Sequence, residues 1–178
     1  MRAVLTSILL MASFSCVAQE PLSFKGLPMG SSLSDIKAKF PSTNCYGDTC
    51  FIRLSNLESR KDLTIGDTVA NSMMLTLHEG QLHQIYIVLS PSAFTVISAA
   101  LQDRYGKPTT DELAIVKTRA GVEHENRTME WRLPAGQVIY TRLSSNVTES
   151  SLMYVTYEHR ERAKQKIIEG RKKAAGDL

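Results

Sequence analysis

Met73-Met74-Leu75-Thr76-Leu77-His78-Glu79-Gly80-Gln81-Leu82-His83-Gln84-Ile85-Tyr86-Ile87-Val88-Leu89-Ser90-Pro91 decides the fold. Leu75 and Leu77 alternate with Thr76, and Ile85, Ile87 and Leu89 alternate with Tyr86 and Val88. A period of two on both sides of a Gly-containing reversal is the signature of a β-hairpin. Ser90-Pro91 then supplies an N-cap followed by the residue best suited to a first helical turn. Phe94, Ile97, Leu101 and Tyr105 recur at helical spacing until Gly106, and Lys107-Pro108 forbids continuation. Hairpin followed by amphipathic helix already excludes an all-α or all-β chain.

The same plan is found on either side. Upstream, Ser32 is a helix N-cap with Asp35 three residues on, Leu33, Ile36 and Phe40 form the apolar stripe, and Pro41 ends it. Cys50 to Leu54 reads as a strand, and Asn56 to Ala70 as a polar loop with a short strand near Leu63-Ile65. Downstream, strands are predicted over Ala114–Thr118, Met129–Leu133, Val138–Leu143 and Leu152–Tyr157. From Glu158 the chain turns basic and helix-prone, with Ile167-Ile168 its only apolar pair, too little for a buried face. The order predicts an α+β fold: two helix-plus-antiparallel-strand repeats, about 24–89 and 90–157, sharing a sheet, followed by a basic C-terminal helix over 158–178.

The N-terminus reads as an address. Met1-Arg2 precedes an apolar stretch from Ala3 to Ala12, and small residues end at Ala18 before Gln19-Glu20. This predicts a secretory signal peptide over 1–18, cleaved after Ala18. Cys16 offers a competing lipid-attachment reading: Ser15 suits it, but Ser13 stands where Leu is usual. If Cys16 is removed, Cys45 and Cys50 remain, and an even count outside the cytoplasm argues for a disulfide across Tyr46-Gly47-Asp48-Thr49. Periplasmic or secreted bacterial localisation follows.

Phe24-Lys25-Gly26-Leu27-Pro28-Met29-Gly30 leading into the Ser32 helix looks like the opening of small exported bacterial proteins. Leu101-Gln102-Asp103-Arg104-Tyr105-Gly106-Lys107-Pro108, with the Trp131 strand after it, is similar to their second half. The tandem plan over about Phe24 to Tyr157 resembles the superfamily containing the outer-membrane assembly lipoprotein BamE and the β-lactamase inhibitor protein. The resemblance lies in element order, and what it implies is a non-catalytic binder outside the cytoplasm, with no catalytic residues to carry over. The Cys16 sequence departs from the lipoprotein members.

Catalytic signatures are thin. The chain has no nucleophile elbow, P-loop or dinucleotide fingerprint. His78 and His83 are five apart with Gly80 between them, whereas the helical zinc motif needs four; Glu123 or His124 is a distant third ligand. Asp111, Glu112, Glu123, Glu125 and Glu130 read as solvated carboxylates rather than an opposed pair. Asn126-Arg127-Thr128 and Asn146-Val147-Thr148 match the glycosylation pattern, without meaning in a bacterium. No cofactor, metal or catalytic residue is assigned.

With 21 Lys+Arg against 18 Asp+Glu in 178 residues, a net charge of +3 is too mild to argue for nucleic acid. Trp131 reads as core. Arg132, Tyr140, Arg142, Tyr154 and Tyr157 are the candidate binding residues, placed on an exposed sheet face where Arg and Tyr anchor partners. The sequence thus predicts an exported protein-binding or inhibitor-like module whose partner is another envelope or secreted protein. Membrane contact would come only through Cys16 or the basic tail. The alternatives are an envelope hydrolase acting on wall or polysaccharide, and a lipid-anchored accessory protein.

Overall fold

The computed structural model describes residues 22–176. The leader, its cleavage site and Cys16 lie outside them.

An eight-stranded antiparallel sheet is the frame. A two-stranded lead-in, β1 (Ser23–Phe24) and β2 (Leu27–Pro28), precedes helix α1 (Leu33–Lys39). Ser32 caps α1: its hydroxyl accepts from the Asp35 N–H, while the Asp35 carboxylate accepts from the Ser32 N–H at 2.9 Å. Then come β3 (Asn44–Tyr46), β4 (Thr49–Arg53), helix α2 (Leu57–Leu63), the small ribbon β5 (Thr64–Ile65) and β6 (Thr68–Val69), β7 (Ser72–His78) and β8 (Gln81–Leu89). The β7–β8 turn has Glu79 at φ 50° and Gly80 at φ 77°, the two positive values that a two-residue turn matching strand twist requires.

The second half begins with a 3₁₀ turn, Pro91–Ala93, capped by Ser90, which runs into α3 (Phe94–Tyr105). Four strands follow: β9 (Thr110–Lys117), β10 (Glu123–Leu133), β11 (Gly136–Thr141) and β12 (Ser150–Thr156). Helix α4 (Tyr157–Gly176) leaves β12 without a break, and none of its residues is buried. It is tied internally by Glu158–Arg162 and Glu161–Lys164 pairs.

Across the sheet the order is β3-β4-β7-β8-β12-β11-β10-β9. Each half is a helix followed by a four-stranded meander, and the last strands of the two meanders pair antiparallel, Ile87 opposite Leu152 and Ile85 opposite Tyr154. The halves thus share one sheet. Each contributes four strands to it, and in the first half this is one more than the sequence resolves, because β3 is only three residues long and runs into the Cys45–Cys50 reversal. That disulfide is formed, between directly opposed residues of β3 and β4.

The predicted loop over 56–70 is corrected. It contains α2, capped reciprocally by Asn56 and Ser59. Leu63 is the only apolar residue α2 buries. Its other anchor is polar: the buried Asp62 carboxylate accepts from the Ser42 N–H at 3.0 Å and the Ser42 hydroxyl at 2.5 Å. A helix held that way has no apolar stripe to read.

One sheet face carries the core. Ile52, Met73, Leu75, Ile85, Ile87, Leu152, Tyr154, Val138, Tyr140, Met129 and Trp131 are buried with Ile36 and Phe40 of the first half and Phe94, Ile97 and Leu101 of α3. Trp131 Nε1 donates to the Gly106 carbonyl at 2.8 Å, fixing the end of α3 to β10.

Candidate functional site: the uncovered face of the sheet

Strand geometry sends alternate side chains to opposite faces, so the residues between the core positions define the second face. Their pairing aligns them in rows across the strands. The central row runs Phe51, Met74, Tyr86, Met153, Ile139, Glu130 and Thr110, each directly opposite the next. Five consecutive members are apolar or aromatic, and all are only half-buried. On one side of this row lies Arg53, Ser72, Val88, Ser151, Thr141, Thr128 and Glu112. Small hydroxyl residues dominate this row, and the Thr128 and Thr141 hydroxyls lie 3.2 Å apart. On the other side Thr49, Thr76, Gln84, Val155 and Gln137 lead to Arg132.

The face has defined ends. At the β3 end, Asn44, Tyr46, Phe51 and Arg53 line a groove of about 550 Å³ with Ser42 and Asn56. At the β10 end, Arg132 Nε donates to Glu130 Oε1 at 2.8 Å, and Gln137 Nε2 donates to the same oxygen. The first of these bonds holds the Arg132 guanidinium at the rim, and the Glu130 carboxylate raises its pKa. Helix α4 runs along the Thr49, Thr76 and His78 end of the strands.

The five residues expected to bind together are separated. Tyr140 is fully buried against Phe94, with ring centroids 4.7 Å apart, and Tyr154 packs on Phe24 at 5.4 Å. Both belong to the helix-covered face, which corrects their expected exposure. Burial pushes the Tyr140 phenol up to about 12 and raises that of Tyr154 as well. The reason is strand parity: Tyr140 and Tyr154 alternate with Ile139, Thr141, Met153 and Val155 and so point to the side that Phe94 of α3 and Phe24 of the lead-in cover. Arg142 is exposed but lies beside Pro91, Phe94 and Leu113, on the helix side. Arg132 is on the uncovered face, and Tyr157 stands at its margin as the first residue of α4. The apolar row was missed because both parities of β8 and β12 carry large residues. Alternation fixes two faces but not which one the helices cover.

The histidines sort differently. The His78 and His83 ring centroids are 6.1 Å apart, and those of His83 and His159 are 6.4 Å apart. His83 is buried at an irregularity of the β7–β8 ladder, with Nδ1 2.9 Å from the Thr156 hydroxyl and 3.8 Å from Glu158. Burial first, and His83 second, lower the His159 pKa. His124 is distant, in the β9–β10 ribbon. Among the described residues no three His, Cys, Asp or Glu side chains are grouped to hold a metal ion.

Three of the carboxylates are ion-paired: Asp111 with Arg127 through two bonds of 2.7 and 2.6 Å, Glu123 with Lys117 at 2.7 Å, and Glu130 with Arg132. Asn126 exchanges hydrogen bonds with the backbone of Leu143. Among the described residues no helix is long and apolar enough to cross a membrane. Compared with known proteins, the chain matches no family model, no curated protein and no solved structure.

Proposed function

We propose that this chain is an exported, non-catalytic binding module that receives another envelope or secreted protein on the uncovered face of its sheet. One observation carries the reading: a continuous row of Phe51, Met74, Tyr86, Met153 and Ile139 stands half-exposed across five strands, flanked by hydroxyl residues and ended by Glu130, which holds Arg132 beside it. An apolar centre with aromatic and methionine side chains inside a polar rim is the anatomy of a protein–protein interface. Met side chains adapt to a partner's contour, and Tyr contributes area at small entropic cost. The sheet is braced on its other face by the helices, so the surface is formed before binding.

The Cys45–Cys50 bridge supports life in an oxidising compartment, as does the leader-like segment 1–18. The tandem plan supports kinship with the BamE and β-lactamase inhibitor protein superfamily.

Replacing Met74 or Tyr86 by a photo-crosslinking residue tests the site. Irradiation in the producing cells is expected to give one discrete adduct with an envelope or secreted protein from both positions. Leu57, exposed on α2, is the control and should give none. Absence of an adduct from both face positions refutes the reading. Mass spectrometry of the mature chain tests export separately: a start at Gln19 is expected, and a retained leader contradicts it.

A further inference from the structure

Strand β9 closes one edge of the sheet, and among the described residues none pairs with its outer side. The opposite edge, β3, is three residues long, a common way to blunt an edge; β9 is eight residues long. Its sequence is Thr110-Asp111-Glu112-Leu113-Ala114-Ile115-Val116-Lys117, with Leu113 66% and Ile115 56% exposed. Both project on the same side as Met129 and Trp131, but beyond the area that α3 covers.

The hydrogen-bond parity of β9 follows from its neighbours. The Thr118 N–H donates to the Val122 carbonyl at 2.9 Å, and the Arg142 N–H to the Arg127 carbonyl at 2.9 Å. In an antiparallel ladder bonded and non-bonded pairs alternate. Even-numbered residues of β9 therefore bond inward to β10. The N–H and C=O groups of Asp111, Leu113, Ile115 and Lys117 point outward.

We infer that β9 pairs antiparallel with β9 of a second copy of this chain, about a two-fold axis through Ala114, joining two sheets into one of sixteen strands. In this register Leu113 faces Ile115 of the partner, and Asp111 faces Lys117 of the partner. Both pairs join outward-pointing residues, so every outward group from 111 to 117 is satisfied. Charge selects this register. Asp111 and Lys117 sit at opposite ends of β9, so antiparallel self-pairing brings unlike charges together at both ends. The intrachain partners Arg127 and Glu123 extend each contact into a four-charge network. The four exposed Leu113 and Ile115 side chains of the two copies form one apolar cluster across the seam, the kind of cross-strand contact that stabilises sheets. The uncovered face of each copy stays open, so this pairing is independent of the proposed binding surface.

Sedimentation of the chain purified after export, with Cys16→Ser to exclude any further thiol, tests the pairing. Dimers are expected, and Ile115→Lys should raise the dissociation constant about tenfold or more, since it sets Lys against the partner's Leu113. Trp131 fluorescence should remain native, because residue 115 is exposed. A register probe is Ala114→Cys in the same background. Residue 114 meets its own copy in a non-bonded pair with Cα atoms about 4.5 Å apart, so a dimer disulfide should form on mild oxidation. Leu113→Cys should crosslink far less, because it faces Ile115. A monomer at all concentrations overturns the inference. So does a dimer that Ile115→Lys leaves intact, or crosslinking at 113 that equals that at 114.

Discussion

Gly136→Ala is a severe test of the sheet packing. Gly136 opens β11, directly opposite Leu133 of β10 and Thr156 of β12. A Cβ built there meets the Val155 carbonyl oxygen at 2.2 Å, Thr156 Cα at 2.9 Å and a Leu22 methyl at 2.8 Å. Ordinary contact starts near 3.4 Å, so the carbonyl contact is more than an ångström too close. Two of the three obstacles are backbone, and no rotamer change relieves them. β11 must move from β12 where α4 begins, or the Leu22 lead-in must lift. Overpacking of this kind costs about 1–3 kcal/mol when side chains absorb it and more when backbone must shift, so a loss of about 3 kcal/mol is expected. With a urea slope of about 1–3 kcal/mol per molar, the unfolding midpoint should fall by about 1 M or more. Trp131 fluorescence reports the transition. Gly170→Ala is the matched control: nothing lies within 4 Å of its Cβ position. In an exposed helix that exchange favours helix by about 0.5–1 kcal/mol, so far-UV ellipticity should rise. A Gly136→Ala midpoint within error of the parent would refute the close approach of β11 to β12.

Ser32→Ala removes one side of the reciprocal cap on α1 and should cost about 1 kcal/mol in urea unfolding; a change under about 0.2 kcal/mol would contradict the cap. Reducing the Cys45–Cys50 bridge should cost about 2 kcal/mol or less, because the closed loop is short, and unfolding with and without reductant measures it. His159 titrates below 6.5 in the folded chain, so the unfolded chain binds its proton first. Its contribution is therefore silent above about pH 6.5 and turns destabilising as pH falls through that value. Amide exchange in the first turns of α4 should accelerate on acidification through this window. His159→Gln should flatten the dependence, and an unchanged profile would show that another group controls it.

Elements with their own punctuation were legible. The β7–β8 hairpin, the Ser32 and Ser90 caps and the Gly106 stop each appear where their residues predict. α2 was hidden because Asp62 and Leu63 anchor it where an apolar stripe would be read. β9 was foreshortened: the strand expected from Ala114 begins at Thr110, and Asp111, Glu112 and Leu113 also pair with β10. The candidate site was half legible. The strands that build it were found, but Tyr140 and Tyr154 were assigned to the wrong side because only helix placement decides which parity is buried. Met74 and Met153, to which the sequence assigned no face, stand half-buried on the uncovered face.

The join between the halves has a consequence for how the chain is made. β8, nine residues long, bounds the first meander, and its outer neighbour is β12, some sixty residues further along. As the chain emerges into the compartment where it folds, the first meander therefore waits, with the outer side of β8 unmatched, until the last strand arrives. That interval is when the nascent molecule is most open to mispairing, and a chaperone's protection would matter most there.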